Sequence, residues 1–310
     1  MNSCKICNTG LLESTFNVRE MMLGMRDEFA YAQCPSCQTI QIIDMPTHIE
    51  SYYPGYYYSF QHTIPPLVPL PFIKRWFESF RIKKKYRKSK MDIFNYLKPL
   101  GTLPSQKILD IGCGKGKLIC EMYNLGFTNI QGVDKYVHQE YDYGHGVKVF
   151  RKDLCELRPD SYDLLMMHHV FEHMDDPYTE FSKSYNLLKK GGYLLVRIPV
   201  VGKAWEIYQQ NWVQLDAPRH FFLHTTKSIQ LLADKTGFIL EDVNYDSTAF
   251  QFWGSELYKR DIALVKPDTK EYVTAKDFFS ADEIAGYEIS AEELNSQNQG
   301  DQAIFYLRKG

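Results

Sequence analysis

With 310 residues, 44% hydrophobic and 15% aromatic content, the chain can hold one large domain or two smaller ones around a substantial core. Its formal charge of -2 excludes a general attraction to nucleic acid or membranes. The N-terminus has no apolar signal segment. The sequence also contains no uninterrupted run of about 18 apolar residues, the length needed to span a bilayer, so we expect a cytoplasmic protein.

Four of the seven cysteines form two C-x-x-C pairs near the N-terminus, Cys4 with Cys7 and Cys34 with Cys37. Without a secretory signal, such pairs favour thiolate ligands over disulfides. Together they would supply the four sulfurs of a structural zinc, which replaces a core that so short a segment lacks. Redox cysteines are the alternative, but no thioredoxin-like pattern surrounds the pairs. We therefore predict a zinc-ribbon-like module over residues 1–45.

Residues 46–100 are predicted to form a linker and a basic amphipathic helix. The prolines of 65–71 indicate a hinge or an extended crossing, and the tyrosines of segment 52–60 either pack between domains or form an aromatic lid over a ligand. The stretch RIKKKYRKSK (81–90) is strongly basic. It is either a solvated helix face or a peripheral contact with an anionic membrane or a phosphate-bearing acceptor. Since the loop between the cysteine pairs has no basic stripe, no nucleic-acid partner is expected.

A strand, a glycine turn and a helix follow one another in the middle of the chain. The apolar run Lys107–Ile111 leads into GCGKG (112–116) and a helical stretch that ends at Gly126. A second strand, IQGVD, ends in Asp134, where a carboxylate can accept hydrogen bonds from both hydroxyls of a ribose. The P-loop pattern is absent, and Lys117 replaces the third glycine of the dinucleotide fingerprint. The pattern therefore favours a different nucleoside cofactor.

The segment ILDIGCGKG resembles the first motif of class I S-adenosylmethionine-dependent methyltransferases. Further predicted strands follow in that family's order: VKVF, SYDLLMM, YLLVRIP, FILEDVNYDS and a final antiparallel QAIFYLRK. The resemblance implies an α/β fold over 101–310, with a Rossmann-like seven-stranded sheet, helices on both faces and acceptor-side insertions at about 200–226 and 248–300. It also implies S-adenosylmethionine as cofactor, contacted by Asp110, Gly112, Cys113, Gly114, Gly116, Asp134, Lys135, Asp153, Leu154 and His168.

The segment HHVFEH (168–173) contains His-x-x-Glu-His, the pattern of an inverted zincin metal site. Its place after the predicted fourth strand argues against a protease, which needs this motif inside an active-site helix. The segment is similar to the E-x-x-E-H of quinone-pathway O-methyltransferases, with a histidine in place of the first glutamate. This resemblance implies a divalent cation near His169, Glu172 and His173. The alternative is that Glu172 and His173 only hold the turn.

The first insertion contains NWVQLDAPRHFFLHT, which combines Trp212, Asp216, Arg219 and His220. Methyl transfer to oxygen requires a base, and we predict His220 in that role, with His169 as a second catalytic candidate. Alternatively, His220 only holds the loop.

The pattern W-x-x-L-D-A-P-R-H-F-F, together with YYSF and the N-terminal cysteines, is similar to methyltransferases encoded with bacterial surface-polysaccharide and deoxysugar pathways. This resemblance implies a small-molecule or glycan acceptor and O-methylation of a sugar hydroxyl. Sugar C-methylation, a zinc-ribbon RNA methyltransferase and a noncatalytic cofactor-binding protein are the alternatives.

Overall fold

The computed structural model describes residues 3–9, 15–68 and 92–310, which form two β-sheets and the helices around them. The strands are β1 (Thr15–Arg19), β2 (Glu28–Gln33), β3 (Ile40–Ile42), β4 (Ile108–Ile111), β5 (Ile130–Val133), β6 (Tyr141–Asp142), β7 (Lys148–Phe150), β8 (Tyr162–His168), β9 (Leu188–Pro199), β10 (Phe222–Leu223), β11 (Phe238–Tyr245) and β12 (Gln302–Lys309). The α-helices are α1 (Asp92–Leu97), α2 (Lys117–Leu125), α3 (Pro177–Leu187), α4 (Lys203–Tyr208), α5 (Thr226–Thr236), α6 (Phe250–Lys259) and α7 (Ala281–Ser296).

The larger sheet has the strand order β11-β12-β9-β8-β4-β5-β7-β6. Strands β5, β4, β8 and β9 run parallel, whereas β12 is antiparallel to both β9 and β11. The predicted Rossmann-like sheet and its antiparallel final strand are confirmed. The structure adds an eighth strand, the two-residue edge strand β6, which the sequence pattern did not predict because it is too short to show an alternation.

The central strands are covered on both faces, as the continuous apolar run of β4 predicts. All four residues of β4 are buried. One face packs against α1 and α2 through residues such as Phe94 and Met122, and the other packs against α3 and α5 through Phe181 and Leu232. This arrangement leaves the carboxyl edge of the parallel strands for the loops that carry the candidate site.

The smaller sheet joins the N-terminal segment to the insertion at 200–226. Its order is β1-β2-β3-β10, so three N-terminal strands pair with a strand from the 200–226 insertion. In the register of this pairing, Phe222 lies opposite Gln41 and Leu223 opposite Ile40. The Thr225 hydroxyl also donates to the carbonyl of Cys37 at 2.8 Å. The cysteine-bearing segment is thus packed against the larger domain.

The segment 248–300, predicted to be a helical insertion, contains α6 and α7. The basic stretch 81–90 lies outside the described residues. Within the described part of the chain, no helix is both long and apolar enough to cross a membrane.

Candidate active site

The glycine loop between β4 and α2 has a backbone that only glycines allow at two positions. Gly112 and Gly116 have φ angles of +69° and +87°. A Cβ at Gly112 would lie 2.2 Å from Cγ2 of Val170, and one at Gly116 would lie 2.7 Å from Cγ2 of Val149. The Gly112 N–H donates to the carbonyl of Val133 at 2.8 Å, which ties the loop to β5. At these two positions the loop therefore presents main chain without a side chain at the edge of the sheet.

Asp134 and Asp110 lie on either side of this loop. The Asp134 carboxylate accepts hydrogen bonds from the N–H of Gly114 at 2.9 Å and of Tyr136 at 2.8 Å. Asp110 is buried, and burial, followed by the charge of Asp134, raises the pKa of its carboxyl to about 8. One carboxyl is thus fixed to the loop, and the other is protonated at neutral pH.

The remaining residues predicted to contact a cofactor occupy different surroundings. Asp153 accepts from the N–H of Cys155 at 3.0 Å and pairs with Lys183 at 2.8 Å, so its carboxylate is engaged by protein groups. Leu154 is buried and Lys135 is exposed. His168 lies against the ring of Tyr96, with centroids 5.7 Å apart, and Cys113 is half-buried in the glycine loop.

A second group of polar side chains lies where β8 ends. Ligand atoms of Glu172, His173 and His220 lie within 4.8 Å of one another. Glu172 is fully buried, and neither of its carboxylate oxygens has a hydrogen-bond partner among the described residues. Since a buried carboxylate without partners is costly, this arrangement is suited to a ligand that supplies positive charge or a proton. We refer to these three residues as the acceptor cluster.

The backbone fixes the proton positions on both histidines of the acceptor cluster. Nδ1 of His173 lies 2.7 Å from the carbonyl oxygen of Arg219, and Nδ1 of His220 lies 2.7 Å from that of Gln214. A carbonyl oxygen can only accept, so each Nδ1 carries the proton. In the neutral imidazoles, the lone pairs therefore reside on Nε2.

The charges in the acceptor cluster are set by burial and by mutual proximity. Burial by itself would raise the pKa of the Glu172 carboxyl, but the His169 imidazole, followed by His173 and His220, lowers it to about 2. Burial lowers the pKa of His220 to about 4, although Asp216 opposes this shift. At neutral pH the cluster therefore combines a carboxylate with a neutral His220 imidazole.

The four N-terminal cysteines also converge. Their Sγ atoms lie within 4.8 Å of one another, with Cys4 to Cys37 and Cys7 to Cys34 each at 3.5 Å, and none is in a disulfide. Tetrahedral zinc with bonds of about 2.3 Å would hold sulfurs at comparable separations. The hydrogen bond from Cys4 is the main cause that lowers the pKa of the Cys37 thiol to about 4. The group can therefore hold a metal ion.

Comparison with known families matches residues 81–243, more than half of the chain, to a family described as a methyltransferase domain. The chain belongs to the methyltransferase domain family. Its glycine loop and parallel sheet are the class I, S-adenosylmethionine-dependent form of this domain.

Curated relatives of this methyltransferase domain act on different acceptors according to their names. A phosphoethanolamine N-methyltransferase 2 of Caenorhabditis elegans is 27% identical over 146 residues, which are 44% of this chain and 33% of the relative. A ubiquinone biosynthesis O-methyltransferase of Maricaulis maris is 34% identical over 144 residues, 40% of this chain and 55% of the relative. The chain thus spans between a third and about half of the length of these relatives.

Among solved structures, phosphoethanolamine N-methyltransferase 2 of Haemonchus contortus, in complex with phosphomonomethylethanolamine and S-adenosylhomocysteine, is 20% identical. The alignment has a TM-score of 0.42 and covers 78% of this chain and 61% of that one.

In this methyltransferase the predicted cation ligands are not grouped as the sequence suggested. His169 has a φ of +51°, and its Nε2 accepts from Nη1 of Arg197 at 2.6 Å. Its Nδ1 then carries the proton and points toward Oε1 of Glu172, 3.5 Å away. His169 therefore has no lone pair to offer a cation, and His220 completes the cluster instead.

Sequence reasoning missed two contacts of the acceptor cluster. The hydroxyl of Tyr53 lies 3.4 Å from Nδ1 of His173, and the hydroxyl of Tyr31 donates to the carbonyl of His220 at 2.9 Å. The tyrosine-rich segment suggested the first contact in general terms. No signal in the sequence pointed to the second, because Tyr31 belongs to the cysteine-bearing segment.

Proposed function

We propose that this chain transfers a methyl group from S-adenosylmethionine to a sugar hydroxyl of a nucleotide sugar or glycan. The observation that carries the proposal is the acceptor cluster, in which a buried, unpartnered carboxylate lies beside two imidazoles with fixed tautomers. A hydroxyl is a weak nucleophile at neutral pH, so its methylation needs a group that removes or weakens its proton.

The glycine loop and Asp134 are the proposed cofactor site. Main-chain N–H groups at the start of α2 and glycines that carry no side chain allow close approach of the methionine part of the cofactor. Asp134 would accept hydrogen bonds from the ribose hydroxyls. The other residues predicted to contact the cofactor remain part of this proposal. Asp153 already pairs with Lys183, so its carboxylate would have to bind the cofactor and Lys183 at the same time.

His220 is the proposed general base. Its Nε2 carries the lone pair, because Nδ1–H donates to Gln214. The low pKa keeps that lone pair free at neutral pH. When Nε2 takes the proton of the acceptor hydroxyl, the Asp216 carboxylate, 3.7 Å away, would stabilise the resulting imidazolium. The acceptor oxygen then attacks the methyl carbon in line with the departing sulfur, which needs positioning but no covalent intermediate.

The acceptor cluster also fits a divalent cation. Glu172 offers two free carboxylate oxygens, and His173 and His220 each offer Nε2. A cation bound there would lower the pKa of an acceptor hydroxyl. His220 has one lone pair on Nε2, so it serves either as the base or as a cation ligand.

The sugar acceptor is supported by the resemblance of the segment around His220 to polysaccharide-associated methyltransferases. C-methylation of a sugar is the second candidate, because the same neutral Nε2 could remove a proton from carbon. Noncatalytic binding and methylation of RNA are further alternatives that the experiments below would reveal. Phosphoethanolamine and quinone precursors, named for the curated relatives, belong in the same acceptor panel.

The experiment incubates the protein with methyl-labelled S-adenosylmethionine and a panel of nucleotide sugars, lipid-linked glycans, phosphoethanolamine, a phenolic quinone precursor and RNA. We expect a mass gain of one methyl group on a sugar, located on oxygen by fragmentation and NMR. His220→Ala should reduce turnover at least about 100-fold while it still binds cofactor. His138→Ala, an exposed histidine, is the matched control. Turnover unchanged by His220→Ala would remove this residue from the chemistry.

Measurement of bound metal distinguishes His220 as the general base from His220 as a cation ligand. Glu172→Gln keeps the shape of the side chain but removes its charge. If the cluster holds a cation, wild-type protein should contain one divalent ion more than Glu172→Gln. Equal metal content with reduced turnover would assign Glu172 an electrostatic role beside the base.

The cysteine group is proposed as a structural zinc site within an N-terminal module of about 45 residues. The convergence of all four sulfurs supports zinc over a redox pair, which would bring together only two of them. The membrane contact through residues 81–90, the cytoplasmic location and the absence of a nucleic-acid partner stay predictions.

A further inference from the structure

The guanidinium of Arg219 connects the N-terminal module to the loop that carries His220. Its side chain is fully buried. Nε and Nη2 donate to the two carboxylate oxygens of Asp216 at 3.0 and 2.6 Å, and Nη2 also donates to Oε1 of Glu20 at 2.8 Å. Nη1 donates to the carbonyl of Tyr52 at 3.2 Å. One cation thus lies between two carboxylates from segments that are far apart in the sequence.

Glu20 is held rigidly in the turn between β1 and β2. Its Oε1 accepts from the N–H of Leu23 at 2.9 Å, and Oε2 accepts from the N–H of Met25 at 3.0 Å. The side chain is fully buried. Since the carboxylate is bound to its own turn, it offers Arg219 a fixed acceptor and not a mobile surface charge.

The loop 216–220 depends on these contacts because its backbone is not in a relaxed conformation. Asp216 has a φ of +37°, in the left-handed region that a non-glycine residue adopts at a cost of roughly 1 kcal/mol or more. The bidentate bond to Arg219 holds Asp216 there. The same loop supplies the carbonyl of Arg219 that fixes the proton on Nδ1 of His173.

Three consecutive carbonyls of this segment have fixed partners, and the N-terminal module supplies two of these partners. Arg219 accepts from His173, His220 accepts from the hydroxyl of Tyr31 at 2.9 Å, and Phe221 accepts from the N–H of Ile42 at 3.0 Å. Residue 220 is therefore held by the module on both sides.

We infer that Glu20, Arg219 and Tyr31 are positioning residues, and that the N-terminal module is a structural wall of the acceptor cluster. They hold the carbonyl of Arg219 that sets the tautomer of His173, and they hold the backbone of His220, so that both rings present Nε2 lone pairs to the cluster. A buried ion pair often adds little net stability over apolar residues of the same volume, so geometric positioning is the better account of this network. The inference rests on the proposed function for the role of the cluster, but its test requires no acceptor.

The test is long-range proton–nitrogen correlation NMR of the imidazole rings, which reports the tautomer of each histidine. Three variants weaken the network: Glu20→Gln leaves one acceptor oxygen for three donors, Tyr31→Phe removes one hydroxyl, and Arg219→Lys removes the planar fork. Glu241→Gln and Arg308→Lys make the same chemical changes in an exposed pair between β11 and β12. Spectra are recorded without added divalent cations.

We expect His173 and His220 to be almost entirely Nδ1-protonated in the wild type. The minor tautomer should rise at least about fivefold for one or both rings in each network variant, because a displaced backbone carbonyl weakens the Nδ1 hydrogen bond that favours the major tautomer. The exposed His138 serves as an internal reference that should not change. The two control variants should have wild-type spectra.

Circular dichroism establishes that each variant is folded. If Arg219→Lys does not fold, Glu20→Gln and Tyr31→Phe still decide the question. Wild-type tautomers for both rings in these two folded variants would overturn the inference. Altered tautomers in a protein that methylates no acceptor would leave the positioning network standing and remove the proposed function instead.

Discussion

The glycine loop (112–116) and the acceptor loop (216–220) both border the carboxyl edge of the sheet, but different forces hold them. The glycine loop is fixed by backbone hydrogen bonds and by the absence of a side chain at Gly112 and Gly116, where an added Cβ would collide with Val170 or Val149. The acceptor loop is fixed by side chains, chiefly the buried charges of Arg219, Asp216 and Glu20. The conformation of the first loop thus requires empty space beside its glycines, and the conformation of the second requires its buried charges to be paired.

This difference teaches that the two halves of the site should fail in different ways. Substitutions that add atoms to the glycine loop should weaken cofactor binding without affecting the N-terminal module. Removed charges or ligands should damage the acceptor side and the module together, because Glu20 and Tyr31 belong to both.

The largest expected effect comes from the cysteine group that supports the acceptor side. If the cysteine group holds the proposed zinc, Cys37→Ser should lose it and lower the melting temperature by at least about 10 °C, because a structural zinc contributes several kcal/mol of folding free energy. Zinc content by atomic emission and thermal denaturation measure both effects. Cys155→Ser, at an exposed position, is the control. A full zinc equivalent in Cys37→Ser would exclude this residue as a ligand.

A pH-dependent effect is expected at the start of the acceptor-side segment. The indole N–H of Trp212 donates to Asp301 at 2.9 Å, and burial is the main cause that raises the pKa of Asp301 to about 7. Between about pH 4 and pH 7 the folded protein keeps a proton that the unfolded chain loses, so stability should fall as pH rises.

The size of this effect is at most about 4 kcal/mol, from about 1.4 kcal/mol per pKa unit. In Asp301→Asn, which can still accept the indole N–H, the free energy of unfolding should change less over the same interval. Urea denaturation at pH 5 and pH 7.5 compares the two proteins. Parallel pH dependence in both would show that Asp301 does not titrate in this window.

On the cofactor side, Gly112→Ala should reduce affinity for S-adenosylmethionine by at least about 100-fold. The added Cβ would lie 2.2 Å from Cγ2 of Val170, so the loop must move until the two carbons reach a van der Waals distance. Gly101→Ala has a similar φ of +58° but meets no atom within 4 Å, and it controls for backbone strain alone. Titration calorimetry measures the affinities. Normal binding by Gly112→Ala would contradict the dependence on empty space.

The smallest expected effect is that of Asp134→Asn. The amide keeps one oxygen for the N–H of Gly114 or Tyr136 but loses the charge and one acceptor, so cofactor affinity should fall about tenfold. Asp268→Asn, at an exposed position, is the control. The same titrations decide the outcome, and an affinity equal to that of the wild type would place the ribose elsewhere.

The cofactor side could be predicted from the sequence because its determinants are local. Strand, glycine turn, helix and the acid after the next strand follow one another within about 30 residues, and each has its own signal. The seven-stranded sheet and the antiparallel β12 followed from the family resemblance, while the short β6 had no pattern of its own.

The acceptor side could be predicted only in part because its determinants are not local. The segment around His220 identified Asp216, Arg219 and His220 as a polar group, and HHVFEH identified Glu172 and His173. Nothing in the sequence showed that His220 would take the place of His169 as the third potential ligand of the cluster. That exchange depends on the positive φ of His169 and its bond to Arg197.

The pairing of β3 with β10 also bears on how the protein is made. The ribosome releases β3 long before it synthesises residues 222–223, so during translation this strand has an open edge that could pair with another chain. The N-terminal module produced alone would keep that edge permanently. We therefore expect this module to aggregate in isolation and the complete chain to aggregate less, as a consequence of the small sheet.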